Sequence, residues 1–338
     1  MSKSYNIGIV GATGAVGQEL LKILAERRFP VGEMRPLASV RSAGKGITWQ
    51  GREYTVGLTD ENAFNGLDIA LFAGGAASKQ YAQAAIAAGA VVIDNSSSFR
   101  YDPEVPLVVP EVNPEDVCWH KGLIANPNCS TIQLVVALKP LHDAAQITRL
   151  TVSTYQSVSG AGIEGISELA EQSAALCNGK PISPPSCFTH QIGFNLIPQI
   201  DVFQENGYTK EEMKMVWETH KMLHDDSIPI SATCVRVPVF RCHSEAVAVE
   251  FAQPLSPEEA RRLLSQAPGV KLLDEPEQAI YPMPAPLSDT DTVYVGRIRR
   301  DLSTENGLLL WVVADQLRKG AATNAVQIAE LLIEYGLI

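Results

Sequence analysis

The chain of 338 residues lacks paired cysteines, long apolar runs and an excess of basic charge. Its cysteines are scattered, without any C-x-x-C spacing, which argues against a disulfide framework or a zinc site. No apolar stretch approaches the roughly 20 residues of a membrane span, and the N-terminal residues do not resemble a signal peptide. We therefore expect a soluble cytoplasmic protein with reduced thiols, no bound metal and no membrane partner.

The net charge of −11 is equally informative. Nucleic-acid-binding proteins usually present a basic face, so nucleic acid is not an expected partner. A small anion remains compatible with an acidic protein, because a single pocket can be locally basic. The length favours two domains.

The first 130 residues alternate between strand and helix patterns. Strands are predicted over residues 5–10, 34–40, 68–73 and 91–94, with helices from the first glycine-rich turn to Arg28 and over 77–88. This alternation predicts a parallel sheet with helices on both faces. Beyond Cys129 come longer strand patterns rich in Val and Thr, over 147–157, 233–240, 246–251 and 308–314, with helices at 163–176, 210–223 and 257–266. That part predicts an α+β domain with a mixed or antiparallel sheet.

A glycine-rich turn, Gly11–Gly17, lies between the first strand and the first helix. In this context the glycines permit a tight turn, so that a dinucleotide pyrophosphate can rest on the helix N-terminus, as in a Rossmann domain. The alternative is a closely packed turn without a ligand. Residues 38–45 include no Asp or Glu that could accept a hydrogen bond from a ribose 2′-hydroxyl. Ser39, Arg41 and Ser42 are instead suited to bind a 2′-phosphate. NADP is therefore favoured over NAD, and an exposed basic loop is the alternative.

The segment Asn126–Thr131 places Cys129 before an apolar helix pattern. A thiol at a helix N-terminus faces unpaired N–H groups and the positive end of the dipole, which favour the nucleophilic thiolate. A turn with a buried cysteine is the plainer alternative.

Polar residues in the second half suggest further site groups. His243 suits proton transfer in thiol chemistry, and Arg236, in an apolar strand, suits a carboxylate or a structural ion pair. Glu218 and Lys221 face one side of a helix, where they bind substrate or simply pair with each other. His220 and His224 have a metal-like spacing but no third ligand, so a metal site is not expected.

Together these motifs resemble the aspartate-β-semialdehyde dehydrogenase family. The resemblance spans nearly the whole chain, and its motifs are Gly11–Gly17, Asn126–Thr131, Gln156–Gly162, Asn195–Asp201 and Arg241–Glu245. It implies an NADP-dependent enzyme that converts L-4-aspartyl phosphate into L-aspartate-4-semialdehyde and phosphate, in the biosynthesis of lysine, methionine, threonine and diaminopimelate. It also implies a nucleotide-binding domain of residues 1–128 plus 318–338, and a catalytic and dimerisation domain of residues 129–317. The oligomer implied is a homodimer, with a tetramer left open.

The resemblance also implies residue roles. Cys129 is the acyl-thioester nucleophile, His243 the acid/base, and Gln156 orients the thioacyl group. Arg236 binds the substrate α-carboxylate, Glu218 its amino group, and Arg100, Lys221 and Asn128 the phosphate. The implied NADP contacts are Gly11, Thr13, Gly14, Ala15, Val16, Ser39, Arg41, Ser42, Ser159, Gly160, Gln316 and Asn324.

Two other functions stay open from sequence. N-acetyl-γ-glutamyl-phosphate reductase shares the reaction type, but the acidic Glu218 favours a substrate with a free amino group. A non-catalytic dehydrogenase-like binding protein is disfavoured because Cys129 and His243 are both present.

Overall fold

The computed structural model describes residues 3–338, which form two compact units. Unit 1 runs to Asn128 and resumes over Ala321–Ile338, whereas unit 2 is the continuous segment Cys129–Gly320. Among the described residues, no helix is long and apolar enough to cross a membrane.

Unit 1 is built on a six-stranded parallel sheet. Its elements are β1 (Tyr5–Val10), α1 (Ala15–Glu26), β2 (Val31–Ala38), a small hairpin of β3 (Gly46–Trp49) and β4 (Arg52–Thr55), β5 (Gly57–Leu58), β6 (Ile69–Phe72), α2 (Ala76–Ala87), β7 (Val91–Asp94), a 3₁₀ turn (Pro114–Trp119) and β8 (Leu123–Ala125). The strand order is β5-β2-β1-β6-β7-β8. This is the order of a doubly wound dinucleotide-binding sheet, with its switch point between β1 and β6.

Unit 2 contains a mixed six-stranded sheet. Its elements are α3 (Cys129–Ala145), β9 (Ile147–Gln156), a 3₁₀ turn (Val158–Ala161), α4 (Gly162–Cys177), α5 (Lys210–Leu223), β10 (Ile230–Arg236), β11 (His243–Phe251), α6 (Pro257–Gln266), β12 (Val270–Leu272), α7 (Pro284–Leu287), β13 (Val293–Arg300) and β14 (Gly307–Ala314). The order is β10-β9-β11-β14-β13-β12, with β9–β10 and β12–β13 parallel and the other pairs antiparallel. The predicted fold class is thus confirmed.

The two faces of this second sheet differ. Strand β9 alternates, with Leu150, Val152, Thr154 and Gln156 buried on one face and Tyr155 exposed on the other. Helices α3 and α5 pack against strands of this sheet. On β9 the buried residues therefore mark the helix-covered face, and the opposite face of this strand is the more exposed one.

The chain ends in a helix that completes unit 1. This helix, α8 (Thr323–Glu334), follows a π-type turn over Arg318–Ala322. Its buried stripe joins the core of β1 and α1, and Glu330 pairs with Arg27 at 2.6 Å. Unit 1 therefore contains both ends of the described chain.

Candidate active site

Four strand ends bring polar residues to one edge of the unit 2 sheet. Parallel strands β9 and β10 end together, with Gln156 paired in register with Arg236. Strand β11, antiparallel to β9, begins at the same edge with His243. Strand β14 ends opposite His243 at Ala314, just before Gln316. Residues far apart in sequence thus meet because of sheet register.

Cys129 lies beside His243, with its Sγ 3.4 Å from the imidazole Nε2. It is the first residue of α3, where backbone N–H groups have no intrahelical partner and the helix dipole is positive. Gly320 presses against this residue, since a Cβ at position 320 would lie 3.0 Å from the Cys129 Cβ. The thiol is therefore held at a defined place.

The hydrogen bonds of His243 define its protonation. The backbone N–H of Ser157 donates to Nδ1 at 3.1 Å, and the Ser157 Oγ lies at the same distance. A backbone N–H can only donate, so Nδ1 is an acceptor and the ring proton resides on Nε2, facing the thiol. Burial lowers the pKa of His243 to about 3, and the charge of Arg236 acts in the same direction. The imidazole is therefore neutral.

A chain of hydrogen bonds links this histidine to two predicted cofactor contacts. The Ser157 Oγ lies 3.3 Å from the Ser159 Oγ, which accepts a short bond from the Gln316 Nε2. The Gln316 Oε1 accepts from the backbone N–H of Cys242 at 2.8 Å. Cys242 has φ of 72°, a conformation costly for a non-glycine residue. Gln316 thus helps to stabilise the turn that orients the His243 side chain.

Arg236 is a buried cation next to the histidine. Its Nη1 donates to the Ser157 carbonyl at 2.6 Å, and its guanidinium lies 5.8 Å from the centre of the Phe188 ring. Gly160 approaches so closely that a Cβ there would lie 3.0 Å from Nη1 and 3.4 Å from the His243 ring. A fork of this kind suits a carboxylate.

Gln156 contacts an acid that sequence reasoning missed. Its Nε2 donates to the Glu211 Oε1 and to the Thr154 Oγ1, each at 3.3 Å. Burial would lower the pKa of Lys214, but the carboxylates of Glu211 (2.9 Å) and Asp201 (3.0 Å) outweigh it and raise that pKa. Glu211 gave no signal in the sequence because an acid in a first helical turn is explained by the dipole alone.

Glu218 and Lys221 both lie on α5, which packs against α3 and β10. Glu218 is fully buried, whereas Lys221 is half-buried. Their roles at the substrate amino group and phosphate remain predictions.

Hydrogen bonds connect the residues before Cys129 to other segments of unit 1. The Arg100 Nη2 donates to the Asn95 carbonyl at 2.8 Å, and the Asn126 Nδ2 donates to the Asn95 Oδ1, also at 2.8 Å. The buried Asn324 donates to the Val108 carbonyl at 2.9 Å and to the Asn126 Oδ1 at 2.7 Å. Asn324 therefore holds this turn, and its cofactor contact remains a prediction. Asn128 is also buried.

The glycine-rich turn of unit 1 has the geometry of a nucleotide site. Gly11 has φ of 84°, and a Cβ at Gly17 would lie 2.2 Å from the Gly11 carbonyl, so only glycine fits there. Gly14 caps α1 without a side-chain hydrogen bond, which leaves first-turn N–H groups for an anion. Thr13, Ala15 and Val16, between these glycines, are partly exposed.

The ends of neighbouring strands extend this site. Beyond β6 and β7 lies an open cleft of about 410 Å³, lined by residues that include Gly75, Lys79 and Asn95. Beyond β2, Ser39 and Arg41 are exposed and Ser42 is half-buried, in a turn closed by a 2.9 Å bond from the Ser42 N–H to the Ser39 carbonyl. These groups therefore lie at the same end of the unit 1 sheet as the glycine-rich turn.

Comparisons with known proteins agree with this geometry. Residues 6–120 match the semialdehyde dehydrogenase NAD binding domain, and residues 138–319 match the semialdehyde dehydrogenase dimerisation domain. Aspartate-semialdehyde dehydrogenase of Aquifex aeolicus is 59% identical over 99% of both chains, and that of Legionella pneumophila is 54% identical over 98% of this chain and 96% of its own.

Solved structures agree as well. Aspartate semialdehyde dehydrogenase II of Vibrio cholerae, complexed with ASA, has a TM-score of 0.94 and 53% identity over 98% of this chain and 99% of its own. The enzyme of Candida albicans, solved with NADP, has a TM-score of 0.76 and 26% identity over 99% of this chain and all of its own.

The fold and the nucleotide-binding unit define an oxidoreductase with an NAD(P)-binding domain. More specifically, the chain belongs to the semialdehyde dehydrogenase family.

Proposed function

We propose that this protein is an NADP-dependent aspartate-semialdehyde dehydrogenase, which converts L-4-aspartyl phosphate into L-aspartate-4-semialdehyde and phosphate. The observation that carries the proposal is the Cys129–His243 pair, 3.4 Å apart, at the sheet edge that also holds Gln156 and Arg236. Relatives of that name, more than half identical over nearly the whole chain, support the substrate.

The nucleophile is the Cys129 thiolate. It attacks the acyl carbon and expels phosphate, which leaves a thioester on Sγ. The Nε2–H of His243 stabilises the thiolate, as do the unpaired N–H groups at the start of α3. NADPH, when bound, supplies the hydride that reduces the thioester.

His243 then assists the release of the aldehyde as a neutral hydrogen-bond donor. Its Nε2 proton stabilises the thiohemiacetal oxygen, and it stabilises the Cys129 thiolate again as the aldehyde departs. Gln156 orients the acyl group, and its contact with Glu211 fixes the amide.

Charged residues select the substrate. Arg236 binds the α-carboxylate and Glu218 the amino group, while Arg100, Lys221 and Asn128 hold the phosphate. The lack of a side chain at Gly160 keeps space beside the Arg236 Nη1, which favours bidentate recognition of a carboxylate.

We assign NADP binding to unit 1, with further contacts from Ser159, Gly160 and Gln316. Arg41 and the two serines beside it support the 2′-phosphate, and the structural relative solved with NADP supports the same cofactor. The product serves the biosynthesis of lysine, methionine, threonine and diaminopimelate.

We also assign a homodimer to unit 2. Its open sheet face carries Tyr155 and Trp311, whose ring centroids lie 5.5 Å apart, with Tyr155 exposed. An aromatic patch that is partly exposed suits a protein interface. Sedimentation of wild type and Tyr155→Glu tests this, since a wild-type monomer contradicts the assignment.

The decisive assay is phosphate-dependent reduction of NADP⁺ by aspartate semialdehyde, run beside NAD⁺ and beside N-acetyl-γ-glutamyl semialdehyde. We expect turnover with aspartate semialdehyde and a preference for NADP⁺. Faster turnover of the acetylated aldehyde identifies the other reductase, and equal rates with both cofactors contradict the role of Arg41.

A further inference from the structure

Glu245 is a buried carboxyl group that the proposed mechanism leaves unused. It lies on β11 two residues after His243, so both side chains point to the same face of the sheet. It is fully buried, and within residues 3–338 neither of its oxygens has a hydrogen-bond partner of standard geometry. Its cross-strand neighbours are Thr154 and Val312, neither of which is charged.

A polar side chain from α3 faces this carboxyl group. Gln133 lies one helical turn after Cys129 on α3, is fully buried, and approaches the Glu245 carboxyl with its amide. The Gln133 Nε2 also donates a weak hydrogen bond to the His243 carbonyl at 3.5 Å, while its Oε1 has no partner among the described residues. Gln133 therefore bridges the helix that starts with the thiol and the strand that starts with the histidine.

The carboxyl group is neutral in this environment. Burial raises the pKa of Glu245 well above its ordinary value, and the nearby Gln133 amide opposes this only in part. An ionised carboxylate without a cation would cost several kcal/mol at such a depth. A neutral acid, by contrast, carries an O–H donor, which complements the free Gln133 Oε1.

Other ionisable groups pack near the same face. They are His243 on the same strand, Cys234 on β10, and Glu211 and Glu212 on α5. The cation whose charge acts on His243 is Arg236, and its guanidinium is engaged by the Ser157 carbonyl. This group of residues therefore supplies no counter-charge to Glu245.

We propose that Glu245, as a neutral carboxylic acid, and Gln133 form a positioning pair that fixes the Cys129 helix against the His243 strand. The contact between Sγ and Nε2 is a single 3.4 Å approach between these two elements. Gln133 and Glu245 connect the same helix and strand one helical turn further from the thiol. This role rests on the proposed function, in which the thiol and the imidazole act together.

Two substitutions at one site separate positioning from simple packing. Glu245→Gln keeps the shape and the hydrogen bonding of a neutral acid, and we expect its kcat within about threefold of wild type. Glu245→Leu removes the polar pair but fills the space, which often preserves or raises thermal stability. We expect it to fold with an unchanged or higher Tm and to lose roughly 10–100-fold in kcat, with little change in KM, because misplaced catalytic groups cost about that much.

A matched control lies on the same strand. Glu250 is partly exposed and pairs with Arg149 at 3.0 Å, so Glu250→Leu and Glu250→Gln should both keep kcat within about twofold. If Glu245→Leu does not fold, Gln133→Leu tests the same pair from α3. The rate of Cys129 alkylation by iodoacetamide, followed against pH, gives a readout that does not need turnover.

The outcomes are distinct. A pH profile of alkylation displaced in Glu245→Leu and restored in Glu245→Gln supports the positioning pair. Full activity in Glu245→Leu, or equal losses in both variants, overturns it. A wild type without dehydrogenase activity instead refutes the proposed function, while the alkylation profiles still decide the role of the pair.

Discussion

The neutral state of His243 makes acid stability a direct test of the site. In the folded protein burial holds its pKa at about 3, against 6.5 for an ordinary histidine. The unfolded chain therefore binds a proton below pH 6.5 that the folded chain does not bind until about pH 3. Stability increases with pH wherever the unfolded state binds more protons, so this histidine costs stability as pH falls through that window.

The size of the effect follows from the difference between the two pKa values. Each pH unit within the window corresponds to about 1.4 kcal/mol. At pH 5, roughly 1.5 units below the unfolded value, the cost of His243 is about 2 kcal/mol relative to pH 8. It approaches about 4 to 5 kcal/mol near pH 3.

Urea unfolding of wild type and His243→Asn, at pH 8 and pH 5, measures this cost. We expect the wild type to lose about 2 kcal/mol more of its unfolding free energy than the variant on acidification. Cys129→Ala is the matched control, because it removes the thiol and leaves the imidazole buried, so it should keep the wild-type pH dependence.

The opposite sign would refute the reasoning. If His243 were an imidazolium paired with a Cys129 thiolate, its folded pKa would be raised rather than lowered. Protonation would then stabilise the fold on acidification, and His243→Asn would lose more stability at pH 5 than the wild type. Equal pH dependence in both proteins would equally contradict a buried neutral imidazole.

Three further substitutions test other parts of the site. Cys129→Ala should abolish turnover while NADPH still binds, as measured by fluorescence titration, and appreciable residual activity would exclude the thioester route. Gly160→Ala places a methyl group about 3.0 Å from the Arg236 Nη1 and should raise KM for aspartate semialdehyde roughly tenfold, whereas Gly46→Ala, whose Cβ has ordinary contacts, should leave it unchanged. Arg41→Ala should raise KM for NADP⁺ roughly tenfold or more and spare NAD⁺, so a parallel loss for both cofactors would contradict a 2′-phosphate contact.

Elements with strong local signals could be predicted well from the sequence. Strand β1, over Tyr5–Val10, and α5, over Lys210–Leu223, have the predicted limits. The first is a short and mostly apolar run, and the second is preceded by Thr209 in a complete capping box with Glu212. Each signal lies within a few consecutive residues, so neither depends on the rest of the chain.

Other strands and helices begin or end at residues different from those expected, because tertiary contacts determine their limits. The strand predicted over 233–240 is Ile230–Arg236, because Pro238 lacks an N–H for the ladder. Strand β11 begins at His243 rather than Ala246, since its first three residues are polar but buried, and their backbone pairs with β14 and β9. The last helix begins at Thr323, after a π-type turn over Arg318–Ala322.

Contacts between distant segments could not be predicted from one sequence. Ser157 lies within the motif Gln156–Gly162. The hydrogen bond from its backbone N–H to the His243 ring, however, depends on the register of β9 with β11. Strand pairing at that distance leaves no local pattern. The same holds for Glu245, which in the sequence is one acid among many.

The discontinuity of unit 1 has a consequence for how the chain is made. A ribosome delivers the whole of Cys129–Gly320 before it delivers α8, whose Ile328 and Leu332 complete the core beside α1. The sequence of unit 2 is therefore complete before that of unit 1, and the nucleotide-binding unit keeps an open apolar flank until α8 is available. We expect a chain truncated after Gly320 to be protease-resistant over unit 2 and sensitive over β1 and α1.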